Sequence, residues 1–319
     1  MKEQRWLVSG YSAEGEPDVK LLCYNPQSGK VVTEAHTAIG QNPSYLISDG
    51  GRVFAALEVH EPDVAATIVE LSVGNGKIET GKRISVEGAY GLCHLSQHAG
   101  HIYGACWASG HLFCVDDALK EVKWCVRNDD GSNKTPHAHW SVTGPDNRLY
   151  CADVGLDCLL IYKPQDGKLV RVVPMREGTA PRQILFDPCS GRIYVVNESD
   201  PSFLEMDPNL LSVLHTWKLP KNNYPGAACL TVSGLLLIPN RGPDSISLFD
   251  TSGSGMKKLG ETPLNGQFPR SLAVSSDAST VLSMNQRSNN VQFFALEEGK
   301  LIAKAQTELS GASSAIEIK

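Results

Sequence analysis

Five short elements between residues 136 and 270 carry side chains suited to holding an anion and moving a proton beside it. They are Pro136-His137-Ala138-His139, Pro181-Arg182, Asn197-Glu198, Asn240-Arg241 and a second Pro-Arg pair, Pro269-Arg270. An imidazole titrates near neutral pH, so His137 and His139 are candidate proton carriers. An arginine presents a planar fork of donors that fits a carboxylate or a phosphate, which makes Arg182, Arg241 and Arg270 candidate anion holders. Glu198, with Asn197 and Asp153, adds acceptors of the kind that orient an imidazole or a hydroxylated substrate. These groups act together only if the fold gathers residues far apart in sequence.

The elements that gather them are strands. The chain has 29 Gly and 18 Pro spread from end to end, a density that leaves almost no room for helices. Short apolar or alternating runs recur between these turn formers, which is a strand pattern. Three stretches align with one another: Pro181-Arg182 to Asn197-Glu198, Pro225-Gly226 to Asn240-Arg241, and Pro269-Arg270 to Asn285-Gln286. Their starts at 182, 226 and 270 are spaced by 44 and 44, and further starts fall near Ser44, Gly91, Ala138 and Ser313. Four short strands per repeat of that length form a propeller blade. Six full units run from Ser44 to about Thr307. Ser313–Ile318 supplies a lone first strand, and runs near Trp6–Ser9, Lys20–Tyr24 and Val31–His36 supply three more. The expectation is an all-β, seven-bladed β-propeller occupying residues 1–319 as a single domain, with four antiparallel strands per blade and one blade closed by both termini.

In such a ring, entries to the innermost strand and exits from the second strand meet on one face around the channel. The entry positions are His139, Arg182, Gly226 and Arg270; the exits include Glu58, Trp107, Asp153, Asn197-Glu198, Asn240-Arg241 and Asn285-Gln286. Turns on the opposite face, such as Gly144-Pro145-Asp146-Asn147, read as plain turn formers. Three convergent arginines in a chain of net charge −6 point to a small anionic ligand.

The acidic balance, 29 Lys+Arg against 35 Asp+Glu, offers no basic field for nucleic acid. The longest apolar runs, such as Leu235–Ile238, fall far short of the roughly 18–20 residues of a membrane helix. No apolar leader follows Met1, and the nine cysteines form no C-x-x-C pair and sit mostly in apolar runs. A cytoplasmic protein with buried thiols is expected.

Thr135-Pro136-His137-Ala138-His139 followed by Gly144-Pro145-Asp146 and Ala152-Asp153 resembles the P-H-A-H…P-D-G…V-A-D element of the seven-bladed lactonase family. That family includes propeller-type 6-phosphogluconolactonases and carboxy-cis,cis-muconate cyclase. Pro181-Arg182…Tyr194-Val195-Val196-Asn197-Glu198 is similar to its P-R-H…Y-V-V-N-E element, Asn240-Arg241-Gly242 to N-R-G-H, and Pro269-Arg270…Asn289-Asn290-Val291 to its closing repeat. Gln183, Ser271 and Pro243 depart from the family's histidines. The resemblance implies hydrolysis of a sugar lactone, most simply 6-phosphogluconolactone, by water without a metal or other cofactor. It implies catalytic roles for His139 or His137, Glu198 and Arg182. Arg241, Arg270, Asn197 and Asp153 would bind substrate, and the base stays open among His137, His139 and Glu198. Two alternatives share the ring: a lactonising cycloisomerase, and a non-catalytic propeller that binds a small anion.

Other patterns carry less. Gly76 to Lys82 fits G-x-x-x-x-G-K, but Arg83 replaces the Ser/Thr and the run lies on a strand-to-strand turn. His94, His98 and His101 have metal-like spacing and read as exposed turn histidines. Glu58, Asp153, Asn197 and Asn240 are oxygen donors that Ca²⁺ accepts, but the neighbouring arginines would repel it.

Overall fold

The computed structural model describes residues 2–319 apart from 14, 17 and 254. In it the chain forms seven antiparallel sheets whose innermost strands touch one another in a closed ring, so the architecture is a seven-bladed β-propeller. Each blade has four strand positions, the innermost of the sixth being split in two, and the first blade pairs Ala312–Ile318 with Gln4–Gly10, Val19–Asn25 and Lys30–Thr37. Strands from the two ends of the chain thus share one sheet, as the repeat arithmetic requires, and no edge lies open beside the channel.

Burial follows from this arrangement. Second strands such as Leu149–Asp153 and Ile193–Asn197 are buried at every position, because both faces pack against neighbouring blades. Seven buried apolar clusters among the described residues fill the seven gaps between blades; one joins Phe54 to Phe113, another Tyr194 to Phe249. Outermost strands such as Lys77–Val86 face solvent and carry charge.

The entry to the innermost strand repeats a three-residue device. Asn42, Gly91, Ala180, Phe268 and Gly311 all adopt left-handed backbone, with φ of 51°, 73°, 50°, 58° and 52°. The next residue starts the strand and is proline in three of the five cases, Pro43, Pro181 and Pro269. A proline at a strand's first position withholds no ladder donor. The residue after that bulges out of register: Ser44, Cys93, Arg182, Arg270 and Ser313, joined by His139 in the fourth blade. A bulge re-aims one side chain without disturbing the rest of the strand. Here it aims His139 and Arg270 at a central cavity, while Cys93 and Ser313 meet backbone carbonyls of the next blade.

The left-handed residue does a second job through its carbonyl. It accepts the amide of the residue that leaves the second strand: Asn42 from Glu58 at 2.9 Å, Gly91 from Trp107 at 2.8 Å, Ala180 from Glu198 at 2.8 Å, Phe268 from Gln286 at 3.1 Å and Gly311 from Tyr11 at 3.0 Å. Each blade thereby locks an entry residue and an exit residue side by side. Strained φ at Ala180 and Phe268 is held by carboxylates, Asp157 at 2.8 Å and Asp244 at 2.7 Å from their amides.

The sixth blade departs from the expected single inner strand. It splits into Tyr224–Pro225 and Cys229–Leu230, and between them the backbone swings onto the seventh blade. Ala227 donates to the Arg270 carbonyl at 2.8 Å, and the Leu272 amide donates to Ala227 at 3.1 Å. Gly226 permits this, since a Cβ there would lie 2.5 Å from the Arg270 oxygen and 2.6 Å from that of Pro269.

Two expectations need correction. His94 is not an exposed turn residue: it is buried, stacked on Trp140 at 3.6 Å, with Nδ1 accepting from the Ser141 amide at 3.2 Å. Among the nine thiols, Cys93, Cys106, Cys114, Cys151 and Cys158 are buried, but Cys125 and Cys189 are exposed because they lie on an outer strand and a surface turn. No helix among the described residues is long and apolar enough to cross a membrane.

Candidate functional site

The entry and exit residues converge on a cavity of about 330 Å³ lined by Glu58, His60, Trp107, His139, Glu198, Arg241 and Arg270, with Val154, Ala180 and Ser199. A hollow of similar size, about 350 Å³, opens among Tyr45, Trp140, Ala227, Ala228 and Ser271, and its charged lining is limited to Glu317 and Lys319. The titratable chemistry therefore lies at one end of the channel.

Two carboxylates organise three guanidiniums there. Glu198 Oε1 accepts from Arg241 Nη2 at 2.6 Å, and Oε2 lies 3.4 Å from Arg182 Nε. Burial alone would raise this carboxyl, but Arg182 and Arg241 outweigh it and hold it down at about 2. Glu58 Oε2 accepts from Arg270 Nη2 at 3.0 Å and from the Tyr11 hydroxyl, while Oε1 pairs with His60 Nε2 at 3.1 Å. Burial raises Glu58 too, and Arg270, His60 and Tyr11 bring it to about 2. Both are anionic across the working pH range. Arg241 is fixed further by the carbonyls of Tyr224 at 2.5 Å and Pro225 at 3.2 Å. Burial and then Arg182 push it down to about 9, so it stays charged at neutral pH.

Arg182 and His139 differ from these paired groups. Arg182 is buried, and neither its Nε nor its Nη1 makes a hydrogen bond; the 3.4 Å approach to Glu198 is an ion pair without hydrogen-bond alignment. His139 Nδ1 is likewise buried without a partner. Burial first, then Arg182, lowers His139 to about 3, so its imidazole is neutral. Buried polar groups are nearly always satisfied, so an open atom on His139, which lines the cavity, and open donors on Arg182, buried beside Glu198, mark a place built for a polar guest.

The structure brings together His139, Arg182, Glu198, Arg241 and Arg270. It does not bring the other three candidates to the cavity. His137 occupies the position before the strand: its amide donates to Asp153 Oδ1 at 2.8 Å, its carbonyl accepts from Val154 at 3.1 Å, and its ring stacks behind Trp107 at 4.5 Å. The two histidines are thus separated by the bulge at His139, not aligned on one face. Asp153 is spent on the amides of His137, Gly155 and Leu156 and on Asn128 Nδ2 at 2.7 Å, which ties the fourth blade's turn. Asn197 is fully buried and donates to Ser202 Oγ at 3.0 Å inside its own blade. Asn240 is used similarly, on Ser245 and Ser247. Among the described residues no group of three or more His, Cys, Asp or Glu is placed to hold a metal.

Four residues of the site were not selected from sequence. Glu58 and Trp107 stand at exit positions already recognised, so the repeat itself marked them. Tyr11 holds the same slot in the blade shared by the two ends of the chain, as its bond to Gly311 shows. His60 lies two residues beyond an exit position and has no counterpart in the repeat.

The family model for the lactonase with a seven-bladed β-propeller matches residues 5–316, nearly the whole chain. The chain belongs to the seven-bladed lactonase family. Relatives within it carry specific names. A 6-phosphogluconolactonase from Formosa agariphila is 28% identical over 209 residues, 59% of each chain. One from Bacillus subtilis is 21% identical over 309 residues, covering 89% of this chain and 86% of the relative. The periplasmic gluconolactonase PpgL of Pseudomonas aeruginosa superposes with a TM-score of 0.88 at 20% identity, over 100% of this chain and 99% of that one, a likeness of fold.

Proposed function

We propose that this lactonase-family propeller hydrolyses the lactone of a sugar acid, 6-phosphogluconolactone being the best candidate, at the cavity that His139 lines and beside which Arg182 lies buried. The observation that carries the reading is a pair of unsatisfied groups: His139 Nδ1, on a residue that lines the cavity with two further arginines, and Arg182 Nη1, buried beside the lining residue Glu198. Opening an ester by water builds negative charge on the carbonyl oxygen. A fixed buried cation stabilises that charge with little reorganisation. On this reading Arg182 takes that role, and neutral His139 supplies a polar group in the cavity.

Arg241 and Arg270 are held by Glu198 and Glu58, so the three guanidiniums and two carboxylates leave one net positive charge. That excess suits an anionic substrate. Outside the cavity, Phe268 lies under both Arg241, at 5.0 Å, and the exposed Arg287, at 3.9 Å, which adds a cation on the mouth side. The names of the relatives from Formosa agariphila and Bacillus subtilis support a phosphorylated substrate, and this mouth charge agrees with one.

The test is acid release from freshly prepared lactones at constant pH, corrected for buffer hydrolysis. Phosphorylated glucono-δ-lactone is expected to turn over with a higher kcat/KM than the unphosphorylated lactone. A protein that accelerates neither would overturn the reading.

A further inference from the structure

Resting on that reading, the remaining question is which group takes the proton from water. Both oxygens of Glu198 face guanidiniums, 2.6 Å from Arg241 and 3.4 Å from Arg182. His139 lies buried against Arg182, where a second positive charge is disfavoured. Glu58 is engaged by Arg270, Tyr11 and His60. That leaves His60, whose side chain is 50% exposed and which lines the same cavity. Its Nε2 is 3.1 Å from Glu58 Oε1, and its ring lies parallel to Trp107 within 25° at 5.6 Å. Its Nδ1 makes no hydrogen bond among the described residues.

We propose that His60, oriented by Glu58, is the general base that activates water for lactone opening, with Glu58 as a positioning residue. The carboxylate accepts Nε2–H, which fixes the tautomer and leaves the Nδ1 lone pair for the cavity. Nδ1 takes one proton from water as the water oxygen bonds to the lactone carbonyl carbon. The carbonyl π pair moves onto its oxygen beside Arg182. When the carbonyl re-forms, the bond from that carbon to the ring oxygen breaks. The ring oxygen leaves with the electron pair and takes the proton back from His60, giving the open hydroxy acid and a neutral imidazole.

The charged groups around His60 are Glu58, Arg270 and Glu61; the bond to Glu58 first, against burial and Arg270, raises its pKa above the ordinary 6.5. The shift is toward holding a proton, opposite in sense to the lowered values of Glu198 and His139.

The experiment is a pH–rate profile of the wild type, His60→Gln, His60→Ala and Glu58→Gln on whichever lactone the wild type opens. The expected result is a wild-type acid limb near neutral pH. His60→Gln should lose at least 100-fold in kcat with little change in KM and no such limb, and added imidazole should partly restore His60→Ala. Glu58→Gln should shift the limb to lower pH. A wild type that opens no lactone overturns the functional reading and this assignment together. An active wild type whose His60→Gln variant keeps its kcat and acid limb overturns the assignment alone. Loss of activity in His60→Ala that imidazole fails to relieve, with the limb intact, also overturns it, because it marks a structural role.

Discussion

Arg241 of the sixth blade donates to Glu198 of the fifth across 2.6 Å, so the site is tied together at a seam between blades. On the other side of the same carboxylate stands Arg182, buried with Nε and Nη1 left without hydrogen bonds. Glu198 therefore holds two like charges in place and leaves a third position for an anion.

Glu198→Gln removes the counter-charge and keeps the shape. Breaking a buried ion pair costs about 3–5 kcal/mol, and the partial exposure of Glu198, 26%, places the expected loss nearer about 2–3 kcal/mol. Urea unfolding measures it. Inorganic phosphate should raise the Tm of the variant more than that of the wild type, since the anion replaces the missing charge.

Stability should fall on acidification from near neutrality. His139 drops from its ordinary 6.5 to about 3 in the fold, so the unfolded chain binds a proton first and stability is lost as pH falls from 6.5 toward 3. Glu58 and Glu198, at about 2 against an ordinary 4.5, add losses between 4.5 and 2. Asp18, pushed up to about 6 by burial, runs the other way between 3.8 and 6 and offsets part of the decline. Urea midpoints across pH 3–8 test this, and Glu198→Gln should flatten the acid end.

Gly226→Ala should damage the site from outside the cavity. Its methyl group would meet the Arg270 and Pro269 carbonyls at 2.5 and 2.6 Å, so the seventh blade's inner strand has to shift. Overpacking of this kind costs about 1–3 kcal/mol. Because Arg270 moves with that strand, kcat/KM is expected to fall at least tenfold, read by the same acid-release assay.

Thiol chemistry offers an independent check of the blade register. Cys125 and Cys189 should react first with an aromatic disulfide reagent in the native protein. Cys93, Cys106, Cys114, Cys151 and Cys158, buried and with thiols raised by burial, should react only on unfolding.

The ring was legible in sequence because every blade repeats one physical pattern, from Pro181-Arg182 through Asn197-Glu198 and onward at fixed spacing. Glu198, Arg241 and Arg270 line the cavity, with Arg182 against Glu198, for that reason: the repeat places entry and exit residues together. His137, Asp153 and Asn197 looked equivalent, but the first two tie a turn's backbone and Asn197 holds the Ser202 hydroxyl inside its blade, since a turn amide and a blade interior compete for the same polar atoms. The bulges that aim His139 and Arg182 inward are a matter of register, which residue types do not announce. His60 was invisible because it lies outside the repeating slots and depends on a loop following Glu58.

The most direct test of the functional reading compares wild type with Arg182→Met in acid release from phosphorylated glucono-δ-lactone at pH 7. Loss of an oxyanion-stabilising donor costs about 100- to 1,000-fold in kcat. A fall of that size with Tm unchanged or raised is expected, because Arg182 is poorly satisfied in the fold. An Arg182→Met protein that hydrolyses the lactone as fast as the wild type would contradict it.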